Sequence, residues 1–459
     1  MFDILLVLTT FKTMTRSSQH SQLPSEEDEH EIIHVEEAGG MSYLKYSSYR
    51  DCKNSFHPYR LFCIIAFIFA FFLTLFSYKY DGSSLNAISS NRFDSFQLQY
   101  IDLPAKVTKV AFGSCNSQHF PGFSHWENLM YGPFQPDLLL FMGDNVYGDC
   151  NDDECSILQQ AYNDLARHIS YQEIVRRIPI LATLDDHDYG HSDATRHNPY
   201  KDQAVALFNE FFNGNHDQNF KSNTKRRGVY SSKEFLIDDK DKDAILQVIF
   251  LDTRYFKDYF LESDDPGTAG KEVYMEDFNK TDNTMLGDEQ WDWLEEQLRK
   301  PAVLRIVVSS IQAIANGHGF ECWRHFPYER EKLYSLLGKP AGGGRAVIVS
   351  GDHHVGGIYR VELSDGNELV EVTGSSWTHS IPFGAYGSNC TTAEDCDEVD
   401  DVRLFDLVRF NNFGSIEIDW KNRTALLAVR KARSTDGCCY SGEKFSDAGE
   451  IIQSLSIDI

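Results

Sequence analysis

The feature that most narrows the possible folds is a recurring one: a short, β-prone apolar run that ends in a cluster of acidic, imidazole or thiol groups. Leu138-Leu139-Leu140-Phe141-Met142 runs into Gly143-Asp144-Asn145-Val146-Tyr147. Leu181-Ala182-Thr183-Leu184 runs into Asp185-Asp186-His187-Asp188, and Ala346-Val347-Ile348-Val349-Ser350 passes through Gly351 into Asp352-His353-His354. A fourth run, Val110-Ala111-Phe112-Gly113-Ser114, ends in Cys115-Asn116. Such apolar runs read as buried strands, and a glycine after the run lets the chain turn at the strand's carboxyl end. Open α/β sheets place their chemistry there. One Gly-Asp turn signifies little. Four strand ends that deliver Asp, His, Tyr, Cys and Asn describe a polynuclear metal centre.

The rest of the chain from Lys106 onwards alternates strand and helix patterns. Apolar strands are expected at 107–113, 137–142, 178–184, 245–251, 303–309 and 346–350. Helical patterns lie between them at Ile157 to Ile169, Gln203 to Phe212, Asp288 to Leu298 and Tyr328 to Leu337. Asp288 and Glu289 follow Gly287, where a helix dipole favours acidic groups. The alternation implies an α/β sandwich. Leu369 to Thr373, Leu404 to Phe410, Ser415 to Asp419 and Ala425 to Val429 are expected as strands completing the second sheet. No internal repeat is present.

Composition excludes several classes. The chain has 459 residues, 42% of them hydrophobic, which is enough for one large core or two smaller ones. A net charge of −26 and the lack of a basic stripe argue against a nucleic-acid partner. No Gly-x-Ser-x-Gly follows a strand, so a serine hydrolase lacks its nucleophile elbow. Gly342-Gly343-Gly344-Arg345 is not a phosphate-binding loop and reads as a turn before a strand.

The amino-terminal region reads separately. Residues 1–60 are polar, with the acidic run Glu26-Glu27-Asp28-Glu29, and are expected as a solvated cytoplasmic tail. Leu61 to Tyr78 has no charged residue and is long enough to cross a bilayer as a helix, at roughly 27 Å. Lys45, Arg50, Lys53 and Arg60 precede it and Lys79 follows, so the positive-inside rule puts the carboxyl portion in the lumen or outside the cell. This makes a single-pass type II membrane protein, with 79–104 as a stalk and 105–459 as the catalytic domain. Sequons at Asn279, Asn389 and Asn422 all lie beyond the membrane segment. The pairs Cys150/Cys155 and Cys390/Cys396 are spaced as small disulfide loops, although the first also suits an acidic calcium loop.

Six motifs in order carry a resemblance. They are Phe112-Gly113-Ser114-Cys115-Asn116, Gly143-Asp144-Asn145-Val146-Tyr147, Asp185-Asp186-His187-Asp188, Leu251-Asp252-Thr253-Arg254, Leu286-Gly287-Asp288-Glu289-Gln290-Trp291 and Gly351-Asp352-His353-His354. Between about residues 105 and 385 the chain resembles the alkaline phosphatase D, or PhoD-like, metallophosphatases. It is more distantly similar to purple acid phosphatases and the calcineurin-like superfamily. The resemblance implies a four-layer α-β-β-α metallophosphatase sandwich behind the single transmembrane helix. The amino-terminal β-sandwich domain usual in bacterial relatives has no counterpart here.

The resemblance also implies a phosphoric ester hydrolase. Its dinuclear or polynuclear centre would hold iron with calcium or another divalent cation and activate water against phosphomonoesters or phosphodiesters. Asp144 would bridge the metals, with Tyr147, Cys115 and His354 on the iron side and Asp186 and Asp352 on the other. Asn116, Asp185 and Asp188 would support them from behind. His187 would serve the leaving group, and the spacing Gly-Asp-x-His favours His354 over His353 as the ligand. Arg254 could clamp phosphate or pair with Asp252 or a neighbouring acid. Trp323 and Tyr328 are candidates for the substrate rim, His318 for a polar group near the site. His119, His125, His191, His197 and His379 are expected only on the surface or in packing. The alternative from another class is a membrane-anchored binding ectodomain that keeps the scaffold without catalysis.

Overall fold

A computed structural model of the chain describes residues 98, 100–119, 124–213, 227–236, 244–263, 273–381, 399–432 and 448–459, with the backbone of 34–38 and 41–45. The apolar segment 61–78, the sequon at Asn389 and the Cys390/Cys396 pair lie outside the described residues. Among the described residues no helix is long and apolar enough to cross a membrane.

Met1–Ile88 and Ser89–Ile459 are separate units. In the first, strands β1 (His34–Ala38) and β2 (Met41–Lys45) pair antiparallel, where a tail without secondary structure is expected. In the second unit, Leu98 and Tyr100 already pack into the core, and Tyr100 Oη lies 3.2 Å from Tyr171 Oη. The folded unit therefore takes in the end of the stretch expected as a stalk.

The second unit runs β3 (Lys109–Gly113), α1 (Ser124–Tyr131), β4 (Leu138–Met142), α2 (Ser156–Arg167), α3 (Ile169–Ile174), β5 (Ile180–Thr183), α4 (Lys201–Phe208), β6 (Ser231–Leu236) and β7 (Ile245–Phe250). A two-residue ribbon, β8 (Leu261–Glu262) with β9 (Tyr274–Met275), precedes α5 (Gly287–Leu298), β10 (Leu304–Ser309), α6 (Pro327–Gly338) and β11 (Arg345–Ser350). The chain closes with β12 (Gly356–Glu362), β13 (Glu368–Gly374), β14 (Asn412–Asp419), β15 (Thr424–Lys431) and β16 (Ile451–Asp458). One six-stranded sheet has the order β16-β15-β14-β3-β4-β5 and the other β12-β13-β11-β10-β7-β6.

The period of two along each strand builds the layers. Val110, Phe112, Leu138, Leu140 and Met142 of the first sheet share one core with Leu246, Val248, Ile306, Val308 and Val347 of the second. The residues between them turn outward. Ala111, Leu139 and Phe141 meet α1 to α4, while Ile249, Val307 and Ile348 meet α5 and α6. The result is helix, sheet, sheet, helix, with the central strands covered on both faces, as their unbroken apolar runs require. Each fully buried Leu, Ile or Phe contributes about 1.5–3 kcal/mol.

Local chemistry sets the boundaries. Cys150 and Cys155 are disulfide-bonded, closing the acidic loop that leads into α2. Asp152 Oδ1 accepts the amides of Glu154 at 3.0 Å and Ser156 at 3.1 Å, which caps that helix from upstream. The single helix expected from Ile157 to Ile169 breaks at His168, whose extended backbone (ψ 122°) starts α3 on a new axis.

Two assignments need correction. Leu404–Phe410 forms no strand; it crosses the edge of β12 with isolated bridges, Val408 to Gly356 and Arg403 to Tyr359, instead of a continuous ladder. Nor do the late strands complete one sheet. β13 pairs parallel with β11, whereas β14 takes the free edge of β3 antiparallel and carries β15 and β16 with it. The edge strands β6, β12 and β16 are additional, and partial exposure dilutes their apolar pattern.

Candidate metal centre

The carboxyl ends of the parallel strands in both sheets open onto one place. β3 leads to Cys115, β4 to Asp144, β5 to Asp185 and Asp186, β10 to Ser310, β11 to Asp352 and His354, and β13 to Ser375. Bonds across the two sheets join these ends. Ser310 Oγ donates to Asp185 Oδ1 at 2.6 Å and Thr183 Oγ1 to Leu251 O at 3.0 Å, while within the second sheet Gly351 N donates to Ser310 O at 3.0 Å.

The turns are tight and conformationally costly. Gly143 has φ +102°, and a Cβ there would stand 2.4 Å from Asp185 Cβ, so only glycine lets Asp144 and Asp185 approach. Cys115 (φ 57°), Asp144 (46°), Asp352 (66°) and His354 (56°) all have left-handed backbone. Each such residue costs on the order of 1–3 kcal/mol, and it persists where the surroundings over-determine it and the strain serves function. Here Asn116 N donates to Asp144 O at 2.8 Å and His354 N to Ser375 Oγ at 2.9 Å.

Asp144 is the hub. Its Oδ2 accepts from Tyr147 Oη at 3.1 Å and lies 3.8 Å from Cys115 Sγ, and Tyr147 Oη lies 3.3 Å from His354 Nε2. Donor atoms of Cys115, Asp144 and His354 fall within 4.8 Å of one another. The same holds for Asp144, Asp185, Asp186 and Asp352, and for Asp144, Asp186 and His187. Two donor sets of different character thus share Asp144: sulfur, phenol and imidazole with a carboxylate on one side, carboxylates alone on the other.

The remaining expected residues divide. His187 shares a 2.7 Å hydrogen bond through Nδ1 with Asp149 Oδ1, and its ring lies tilted against that of Tyr147 with centroids 4.5 Å apart. Asp188 stands behind the centre, accepting from Asn145 N, Asn145 Nδ2, Asp185 N and Tyr162 Oη. Asn116 Nδ2 donates to Asn145 O. His353 points away and stacks on His318 at 3.9 Å, while His354 faces the centre. Trp323 is not on a rim: it is fully buried, and its indole N–H donates to Ser309 Oγ at 3.0 Å. Tyr328 is exposed on α6, with its hydroxyl on Phe278 O.

Arg254 is completely buried and committed to carboxylates, at 2.5 Å from Asp185 Oδ1 and 2.5 Å from Glu321 Oε2. Of the two roles the sequence offers it, the ion pair is the one formed, with Asp185 and Glu321 in place of Asp252. Asp252 instead accepts the backbone amides of Val229, Arg254 and Tyr255. Glu321 also pairs with Lys257, whose ammonium reaches Asp193 O at 3.2 Å.

His379, expected only on the surface or in packing, stands instead against the centre, and Asp193 and Glu321, whose carboxylates group with Asp186, were given no role from the sequence. His379 Nε2 lies 3.2 Å from Tyr147 Oη. It follows β13 through Ser375-Ser376-Trp377-Thr378, the same strand-then-polar pattern that marked the other ends, so a signal was present. Glu321, between Phe320 and Cys322, has none.

Electrostatics show the strain of this cluster without cations. Burial, reinforced by Asp186, pushes Asp144 well above the usual carboxylate range, and burial with Asp185 does the same to Asp352. Burial raises Asp185 to about 6 despite its Arg254 partner. Burial opposes it, yet His187 and Arg254 hold Asp186 below the usual range. Against its own burial, His187 is raised by Asp186 and Asp144. Burial and His379 lower His354, and burial also takes His379 down to about 4. Asp185 Oδ2 is buried with no hydrogen-bond partner among the described residues. Crowded buried carboxylates with an orphaned oxygen fit cations, and the hard oxygen donors beside one thiol and one imidazole fit two of unlike character.

Two β-sheets packed face to face between helices, with the ligand cluster at their joined carboxyl ends, define a metallophosphatase-type fold. The PhoD-like phosphatase family is where the chain's resemblance lies: that family's model matches residues 243–428. Among solved structures, PhoD aligns with a TM-score of 0.54 and 14% identity over 70% of this chain and 65% of its own, which shows a shared fold. The purple acid phosphatase PPD1 from yellow lupin (Lupinus luteus) seeds aligns with a TM-score of 0.46 and 12% identity, over 78% of this chain and 55% of its own. GAP50, the anchor in the inner membrane complex of Plasmodium, gives 0.45 and 14% over 77% and 89%. The chain spans less than two thirds of the length of PhoD and of the lupin enzyme. No curated protein matches in sequence.

Proposed function

We propose that the chain is a metal-dependent phosphoesterase acting on phosphomonoesters or phosphodiesters. The observation that supports this most is the meeting of four strand ends on Asp144, with Cys115, Asp144, Asp352 and His354 all held in left-handed backbone. Cys115, Tyr147, His354 and Asp144 would hold an iron-type cation; Asp144, Asp186 and Asp352, with Asp185 beside them, would hold calcium or another divalent cation. When bound, these cations supply Lewis-acid stabilisation of phosphoryl charge and activation of water.

The chain's own groups do the rest. Asp144 fixes the spacing of the two donor sets because both use it. Asp149 takes Nδ1 of His187, which leaves Nε2 to hand a proton to the departing oxygen. Arg254 holds Asp185 in place and balances part of the cluster's charge. Tyr147, His187, Asp352, His354 and His379 are half-buried, so the imidazole side is where a phosphate ester can enter.

The test is elemental analysis of the purified chain beside hydrolysis of a phosphomonoester dye and a phosphodiester dye. Bound iron or a divalent cation with turnover of either dye is expected, and the preferred dye assigns the ester class. A folded protein with neither metal nor turnover overturns the enzyme and leaves a binding ectodomain.

The same proposal places the chain as a single-pass type II membrane protein, anchored by 61–78, with the metal centre lumenal or extracellular. The sequons at Asn279 and Asn422 and the Cys150–Cys155 disulfide support that side of the membrane. An N-glycosidase applied to the protein from a eukaryotic secretory host is expected to increase its gel mobility. Unchanged mobility together with free Cys150 and Cys155 thiols would place the domain in the cytoplasm.

A further inference from the structure

The segment after β13, Ser375–Ile381, ties the metal centre together from outside its obvious motifs. Ser375 Oγ accepts His354 N at 2.9 Å and lies 3.2 Å from Cys115 Sγ. Trp377 N donates to Ser114 O at 3.2 Å, and its indole fills the space over Gly113, where a Cβ would come within 2.3 Å of the ring. Thr378 Oγ1 lies 2.9 Å from Cys115 O and accepts Ser117 N at 2.9 Å. Ser380 Oγ and Ile381 N both donate to His354 O, at 3.1 and 3.0 Å. One short strap therefore clamps the two left-handed turns that present Cys115 and His354.

At its centre the strap carries His379. The Nδ1 of this ring shares a 2.9 Å hydrogen bond with Thr378 Oγ1, which aims Nε2 at Tyr147 Oη, 3.2 Å away. The ring also packs edge-on against His354, with centroids 4.3 Å apart, so it cannot swing aside without moving that residue. Tyr147 Oη is thus held from three directions, by Asp144, His354 and His379.

We propose that His379 is a positioning residue for Tyr147: its Nε2 holds the phenolic oxygen on the side of the centre formed by Cys115, Asp144 and His354, ready to bind an iron-type cation. This rests on the metal-centre reading above. Partners of metal ligands orient them and tune their donor strength, and their loss typically costs about 10- to 100-fold in metal affinity.

Ferric iron added to the full-length chain is the probe. The unsubstituted protein is expected to develop a visible phenolate-to-iron(III) charge-transfer band that Tyr147→Phe removes. His379→Ala is expected to shift or weaken the band and to lower iron affinity by about 10- to 100-fold. His379→Gln, long enough to reach Tyr147 Oη, restores much of both. His379→Asn keeps a partner for Thr378 but falls short of Tyr147, so it behaves like alanine. If Asn rescues and Gln does not, the role is structural and the proposal is wrong. An unmoved band and affinity in a folded His379→Ala variant overturn it as well. If the unsubstituted chain gives no band, iron binding by Tyr147 fails and takes this inference with it; a band indifferent to His379 sinks the inference alone.

Discussion

Asp144→Asn is expected to lower kcat/KM by at least about 10³-fold, or about 4 kcal/mol of transition-state stabilisation, while the fold survives. The substitution keeps the side chain's shape and removes its charge. Its Oδ2 is the acceptor for Tyr147 Oη, and both donor sets need this carboxylate, so an amide there separates what Asp144 joins. Stability should move the other way. Burial and Asp186 already disfavour the charge on Asp144, and its removal relieves repulsion within the carboxylate cluster. The metal-free variant is therefore expected to melt no lower than the metal-free parent, while binding less metal. Kinetics, elemental analysis and calorimetry on the pair check this. Full activity in the variant would remove Asp144 from the centre.

Arg254→Met should be the most damaging substitution for stability, at about 3–5 kcal/mol, because it strips the cation from a buried pair. Arg254 lies 2.5 Å from Asp185 and 2.5 Å from Glu321, and all three side chains are at most 2% exposed. The substitution leaves Asp185 without a cation next to Asp186, and Glu321 with Lys257 alone. Removing the stranded charge as well should recover part of the loss, so Arg254→Met with Asp185→Asn is expected to be more stable than Arg254→Met alone. Urea unfolding of the single and double variants measures the coupling. A change under about 1 kcal/mol for Arg254→Met would mean that the ion pair is dispensable.

The strands that hold the site were legible because they are buried on both faces. Leu138–Met142 and the Ala346 to Val349 stretch of β11 meet sheet on one side and helix on the other, so these stretches have no choice but to be apolar throughout. Edge strands such as β6 and β16 escaped because half-exposed positions tolerate Ser, Lys and Gln, and no run of hydrophobic residues is required. Leu404–Phe410 misled in the opposite sense. Leu404 packs against the inter-sheet core and Phe405 is exposed, an alternation that resembles a strand but here belongs to a loop lying across the edge of β12.

The site divides in a related way. Sequence order alone named the residues at strand ends, because a strand that stops in Gly-Asp or Asp-Asp has a local reason to be read. The Gly-Asp-x-His spacing also favoured His354 over His353; the physical cause, left-handed backbone at Asp352 and His354 that turns one ring to the centre and the other onto His318, is visible only in the structure.

What the sequence determined by itself was the layering and the donors: period-two apolar strands, glycines where the chain must turn, and a set of Asp, Tyr, Cys and His side chains with the hardness of a mixed metal centre. Only the tertiary structure decided how they are used. Arg254 became the counter-ion of Asp185 because β7 and β5, in different sheets, end side by side, and His379 reached Tyr147 because the strap after β13 crosses from one sheet to the other. Those contacts join residues 69 and 232 positions apart, a separation over which local sequence has no means of signalling.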